Sequence, residues 1–83
     1  MATSNPVILN ATWQAVKVGV FSGGLQNLGN SPIVARIELT ASGAPAVGAG
    51  GFSVPSIPIP LSVGATETLW CRVVGDVGAV VLA

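Results

Sequence analysis

The chain has 83 residues, 51% of them hydrophobic and only 7% charged, with three cations, three anions and a net charge of zero. A domain of this size buries only about 60% of its unfolded surface, so folds of this length lean on disulfides, a metal or self-association. One cysteine and no histidine remove the first two supports, and three scattered cations, Lys17, Arg36 and Arg72, give no electrostatic footprint for nucleic acid.

Residues 1–83 read as one β-domain, with residues 1–5 a polar start that is expected to be flexible. Pro6 has no amide to donate, so Val7–Leu9 is predicted to open an edge strand. Asn10-Ala11-Thr12 matches a glycosylation sequon. With no basic and apolar leader before it, the tripeptide reads as turn chemistry. From Trp13 to Phe21, the set Gln14, Val16, Val18, Val20 alternates with Trp13, Ala15, Lys17, Gly19, Phe21, which predicts a strand ended by Ser22-Gly23-Gly24. Leu25–Leu28 precedes the turn formers Gly29-Asn30-Ser31-Pro32, and a hairpin with the next run is expected. That run, Ile33–Thr40, has the clearest alternation in the chain. It predicts a central strand with Ile33, Ala35, Ile37 and Leu39 inward and Val34, Arg36, Glu38 and Thr40 outward.

Residues 41–51 are small residues, glycines and one proline, a composition with little to bury that predicts a flexible loop. In Ser53–Leu61 the prolines at 55, 58 and 60 remove donors and force an extended, edge-like path. Ile57, Ile59 and Leu61 then form an apolar comb, fit to pack across the open end of a sandwich or onto a partner. Thr68–Leu82 is predicted to be a β-hairpin, because β-branched runs flank Gly75-Asp76, the sequence of a type II′ turn. In that register Trp70, Arg72 and Val74 share a face with Val81, while Cys71 faces Val80 and Leu69 faces Leu82. Both faces are apolar, and the surplus asks for another layer or another subunit. No window carries a sustained 3.6-residue period with caps, so no substantial helix is predicted. The expected fold is all-β, a small antiparallel sandwich or a jelly-roll-like barrel. A membrane-spanning helix is ruled out by the prolines and glycines of residues 39–66.

Catalytic chemistry is missing. Without histidine there is no Cys-His or Ser-His pair, and Glu38, Glu67 and Asp76 are too scattered to predict a carboxylate pair. No enzyme activity, cofactor or metal is expected. Gly48-Ala49-Gly50-Gly51 is followed by Pro55 rather than by helix formers, so it is no phosphate loop. Cys71 reads as a small buried hydrophobe. Tryptophan and arginine are favoured anchors of protein contacts. Trp70, Arg72, Val74, Val81, Ile57, Ile59 and Leu61 are therefore the candidate interface residues.

The succession Trp13-Gln14-Ala15-Val16, Leu25-Gln26-Asn27-Leu28-Gly29, Pro32-Ile33-Val34-Ala35-Arg36-Ile37, Leu69-Trp70-Cys71-Arg72-Val73 and Gly78-Ala79-Val80-Val81-Leu82 resembles small β-rich accessory virion proteins of tailed bacteriophages. It spans most of the chain. The resemblance implies an oligomeric β-domain, trimer preferred over dimer, made in the host cytoplasm and resident in the virion. It would act as a capsid decoration or cement protein bound to the major capsid protein or another virion protein. A fibre or tail adaptor and a lectin-like sugar-binding module are the alternative expectations.

Overall fold

A computed structural model describes residues 7–46, 48–75 and 77–82. They form strands β1 (Val7–Leu9), β2 (Gln14–Val18), β3 (Phe21–Asn27), β4 (Ile33–Leu39), β5 (Phe52–Ser53), β6 (Ile59–Val63), β7 (Glu67–Val73) and β8 (Gly78–Leu82), with one 3-10 turn at Thr40–Ser42. The strands make two four-stranded antiparallel sheets, one ordered β1-β8-β3-β6 and the other β2-β7-β4-β5. These will be called sheets A and B. The pairing is nested: β1 with β8, β2 with β7, β3 with β6, β4 with β5. This is the strand order of a ribbon rolled into a jelly roll. The two sheets stack as a sandwich and do not close into a barrel.

Each sheet turns one row of side chains inward. Leu69, Cys71 and Val73 from β7 meet Ile33 and Ala35 from β4 on one side of the core, and Leu9, Leu25, Val63 and Val80 supply the other. The inward residues of β7 alternate with Thr68, Trp70 and Arg72, the period-2 pattern of a strand with distinct faces. The Ile33–Thr40 expectation holds in kind: Ile33 and Ala35 are buried and Ile37 packs on the core, although the strand ends at Leu39, which is 56% exposed, and Thr40 begins the 3-10 turn. The proline-rich stretch crosses from β5 at the edge of sheet B to β6 at the edge of sheet A. On the way Val54 is buried and donates its amide to Ile33 O, while Pro55 O accepts from Asn27 N. It closes one flank of the sandwich, and Pro60 lies opposite Gly24, which has no side chain to crowd the ring.

Four local expectations are corrected. The Thr68–Leu82 stretch is no hairpin, for β7 lies in sheet B between β2 and β4, and β8 lies in sheet A between β1 and β3. The second layer that the doubly apolar runs ask for is thus supplied within the chain. An arch over the core sets the inner faces of β7 and β8 toward each other, where a hairpin would leave them side by side. Leu25–Leu28 and Ile33–Thr40 likewise belong to opposite sheets. The side chain of Asn27 holds that arch, accepting from Gly29 N and donating to Ser31 O. Ser22-Gly23-Gly24 does not end a strand but runs inside β3, paired with β6. Finally, Gln14, Val16, Val18 and Val20 do not share a face. The ladder between β2 and β7 slips between Ala15 and Lys17, and such a bulge inverts the alternation beyond it. Val16 packs on the core, while Val18 and Val20 are 61% and 71% exposed. Residues 1–5 and the Asp76 half of the expected turn lie outside the described residues.

Gly75, which leaves β7 toward β8, has φ +147°, and a Cβ there would have only the Ser31 side chain within reach, at an ordinary distance. The difficulty of replacing it is therefore backbone strain rather than space. Gly75→Val is expected to cost about 1–3 kcal/mol in urea unfolding, with the fold retained. At Gly51 the obstacle is instead space, because a Cβ would run into the Ala35 carbonyl. Gly51→Ala is expected to unseat β5 from β4, and to raise amide exchange there more than elsewhere.

Burial also raises the Cys71 thiol from 9.0 to about 12. The neutral thiol is the form the core holds, so its contribution is complete below pH 9, the unfolded value, and is lost as pH rises toward 12. Two outcomes are expected: no reaction of Cys71 with a thiol reagent at neutral pH until the protein unfolds, and an alkaline loss of stability that is less steep in Cys71→Ala. Equal alkaline slopes, measured by urea titration at several pH values, would contradict this assignment.

Candidate functional site

The distribution of charge over the sandwich is one-sided. Lys17 stands on β2, Arg36 and Glu38 on β4, Glu67 and Arg72 on β7, so every described charged residue belongs to sheet B. None of the strands of sheet A carries one. The sixth, Asp76, lies outside the described residues.

On the outer face of sheet B, β-pairing sets Ala15, Trp70 and Arg36 in one row and Arg72 beside Val34 in the next. Arg36 pairs with Glu38 through its Nε and donates from Nη1 to Gly50 O at 2.9 Å. The Trp13 indole donates from Nε1 to Ala46 O at 3.0 Å, and the Arg72 guanidinium lies 5.4 Å from the centre of its ring, within cation–π range. The loop after β4 is thereby strapped over the sheet by two contacts. The Arg36–Glu38 pair runs along one strand, two residues apart on the same face. Glu67 turns its Oε1 to the Gly64 amide. Trp70 Nε1 and Arg72 Nε are enclosed here without a hydrogen-bond partner.

Beside Trp13 opens a cleft of about 220 Å³ lined by Ala11, Thr12, Trp13, Ala44 and Pro45. Its side-chain donors are engaged within the chain: Thr12 Oγ1 donates to Asn10 Oδ1, and Trp13 Nε1 to the loop. A sugar site needs convergent polar groups beside its aromatic platform, and the wall of this cleft is mostly apolar. The Asn10 side chain also accepts from Thr12 N, the turn role read from its sequence.

The outer face of sheet A is different in kind. The rows are Ile8 with Ala79, Val81 with Gln26, Gly24 with Pro60 and Ser22 with Ser62, all uncharged and mostly small. The rim is apolar too. Near one end Val18, Val20 and Leu39 are exposed. At the other, Leu28, Ile57, Val74 and Val77 are 46%, 69%, 51% and 60% exposed. This second end is assembled by Val74 N donating to Pro32 O, Leu28 N to Ala79 O and Gln26 Nε2 to Ser56 O.

The seven interface candidates therefore separate. Trp70 and Arg72 are half-buried on the outside of sheet B, Val81 is on the outside of sheet A, and Val74 and Ile57 stand on the rim. Ile59 and Leu61 pack on the core, so only Ile57 of the comb projects. Leu28 and Val77 are rim residues that the sequence reading missed, since each looks like any other strand residue until the arches expose it. Among the described residues no three of His, Cys, Asp and Glu come together as a metal site, and no helix is long and apolar enough to cross a membrane.

Three comparisons give no relative. No model of a known protein family, no curated protein and no solved structure matches the chain.

The Trp13 strap gives a direct test. Trp13→Phe removes the donor to Ala46 but keeps a ring for Arg72. It is expected to cost about 1 kcal/mol and to speed amide exchange at residues 43, 44, 46 and 48–50, with the core amides unchanged.

Proposed function

We propose that the chain is a structural virion protein of the capsid-decoration type, which binds an assembled phage shell and stabilises it by contact, without chemical change to a substrate. The observation that carries this reading is the rim of exposed apolar side chains on a domain with so few charges. Leu28, Ile57, Val74 and Val77 gather at one end of the sandwich, where water is a poor neighbour for them and a protein surface a good one. The sequence resemblance to accessory virion proteins supplies the partner, and the jelly-roll strand order, used by capsid proteins and lectins alike, is compatible with it by analogy of fold.

Contact alone is sufficient for such a role. A subunit that binds only the assembled shell stabilises it by RT ln(1 + [L]/Kd) per site, about 2.7 kcal/mol when the free protein is 100-fold above Kd. Repeated over many sites, modest binding hardens a particle. A contact made by Val74, Ile57 and their neighbours contains no ion pair, so it should vary little with salt.

The test is to strip the protein from particles, add it back, and follow heat-induced genome release at low and high salt. Rebinding that raises the release temperature equally at both salts is expected, with Val74→Asp and Ile57→Asp failing to rebind although folded. Absence of rebinding by the unaltered protein would remove the decoration role. A strong salt dependence would remove the apolar rim as its seat.

A further inference from the structure

We infer that the outer face of sheet A is a self-association surface, on which a second copy of this chain packs face to face about a two-fold axis. The one-sided charge carries the inference. In an average protein about a quarter of residues are charged, and both faces of an isolated sandwich would need some of them. Here the five described charges all ride on sheet B, and the outside of sheet A presents Ile8, Ala79, Val81, Gln26, Ser22 and Ser62. A face with neither sign of charge can meet its own copy without repulsion and without burying an ion. The dimer so formed would be four sheets deep, with both copies of sheet B outward, and no described charge of the pair would enter the contact.

Size and shape agree with that occupant. The molecule measures 36 × 31 × 17 Å, a disc whose short axis is that of two stacked sheets. The outline of that disc, roughly 900 Å² as an ellipse of 36 × 31 Å, is an upper bound on the face, and a standard interface covers about 800 Å² per partner. Small residues such as Ser22, Gly24, Ser62 and Ala79 keep the face low, as close sheet stacking at about 10 Å requires. Pairing edge to edge is disfavoured by comparison. The edge of sheet B at β2 carries a bulge and Lys17, β5 and β1 are only two and three residues long, and the β6 edge of sheet A has Pro60, each a device that blunts an edge. A contact of one sheet face with the same face of a second copy is isologous and closes at two copies, in place of the trimer that the resemblance implies.

Sedimentation equilibrium over a wide concentration range tests the inference on the purified chain, with no shell present. The mass expected is that of two chains. Ser62→Lys and Val81→Lys would each place two like charges in the contact, and should weaken the dimer at least about a hundredfold. Ala15→Lys, on the outside of sheet B, should leave it intact. Ser62 is exposed, so its variant has no reason to misfold, and far-ultraviolet circular dichroism checks each one. A mass of one chain or of three, or a dimer that survives Ser62→Lys, or one lost equally in Ala15→Lys, would overturn the inference. A chain that dimerises by this face yet fails to bind particles would refute the decoration reading instead, and a monomer that still hardens particles would leave that reading standing alone.

Discussion

Leu69, Cys71 and Val73 are alternate residues of one strand, and each is fully buried. Everything else in the sandwich is arranged to cover them. β7 is flanked on both edges, by β2 and β4, so its backbone groups are paired, and its inner face is left to be covered by sheet A. Sheet A answers with Leu9, Leu25, Val63 and Val80, each nearly or fully removed from water. Burying apolar area yields about 25 cal/mol per Å², and with no disulfide this contact between layers is the chief source of stability available to a chain so short. It also makes Cys71 inert: the same dryness that holds the layers together withholds the thiolate form.

The parts of this fold that were legible in the sequence are those set by a few neighbouring residues. The alternation of Ile33–Leu39 named a central strand and its inner face. Pro58 and Pro60 named an edge-like path, and Pro60 does lie in the edge strand β6. Partnership was not legible, because a strand's partner is decided by which layer can bury its inner face, and that information lies far away in sequence. The Gly75-Asp76 pair has the residues of a tight turn, and Gly75 does take positive φ, but the strands on either side are already engaged with others. Gly23-Gly24 looked like an ending because glycine weakens a strand, yet opposite Pro60 its lack of a side chain is an advantage. The bulge at Val16 could not be read at all. One unpaired residue sets Val18 on the opposite face from Gln14, at the surface.

Of the candidate contact residues, those chosen by chemistry and those chosen by pattern fared differently in where they were placed. Tryptophan and arginine on β7 are natural anchors by chemistry, and they do lie together on an outer face, with the Trp13 ring beside Arg72. Ile59 and Leu61 were chosen for their spacing. That spacing served the interior, which is the commoner use of regularly spaced apolar residues in a strand. The feature that organises the surface was present in the sequence but invisible there: the charged positions become one-sided only when it is known which strands share a sheet.

The nested pairing also decides how the domain would carry load. Val7, at the start of β1, stands opposite Val80 near the end of β8, and Leu9 opposite Gly78. Tension applied through the two chain ends would therefore enter at the same end of one ladder. It would peel β1 from β8 a hydrogen bond at a time, instead of shearing the whole row at once. A domain built in this way is mechanically soft between its ends and stiff across its layers, so force is best taken through its faces and rim.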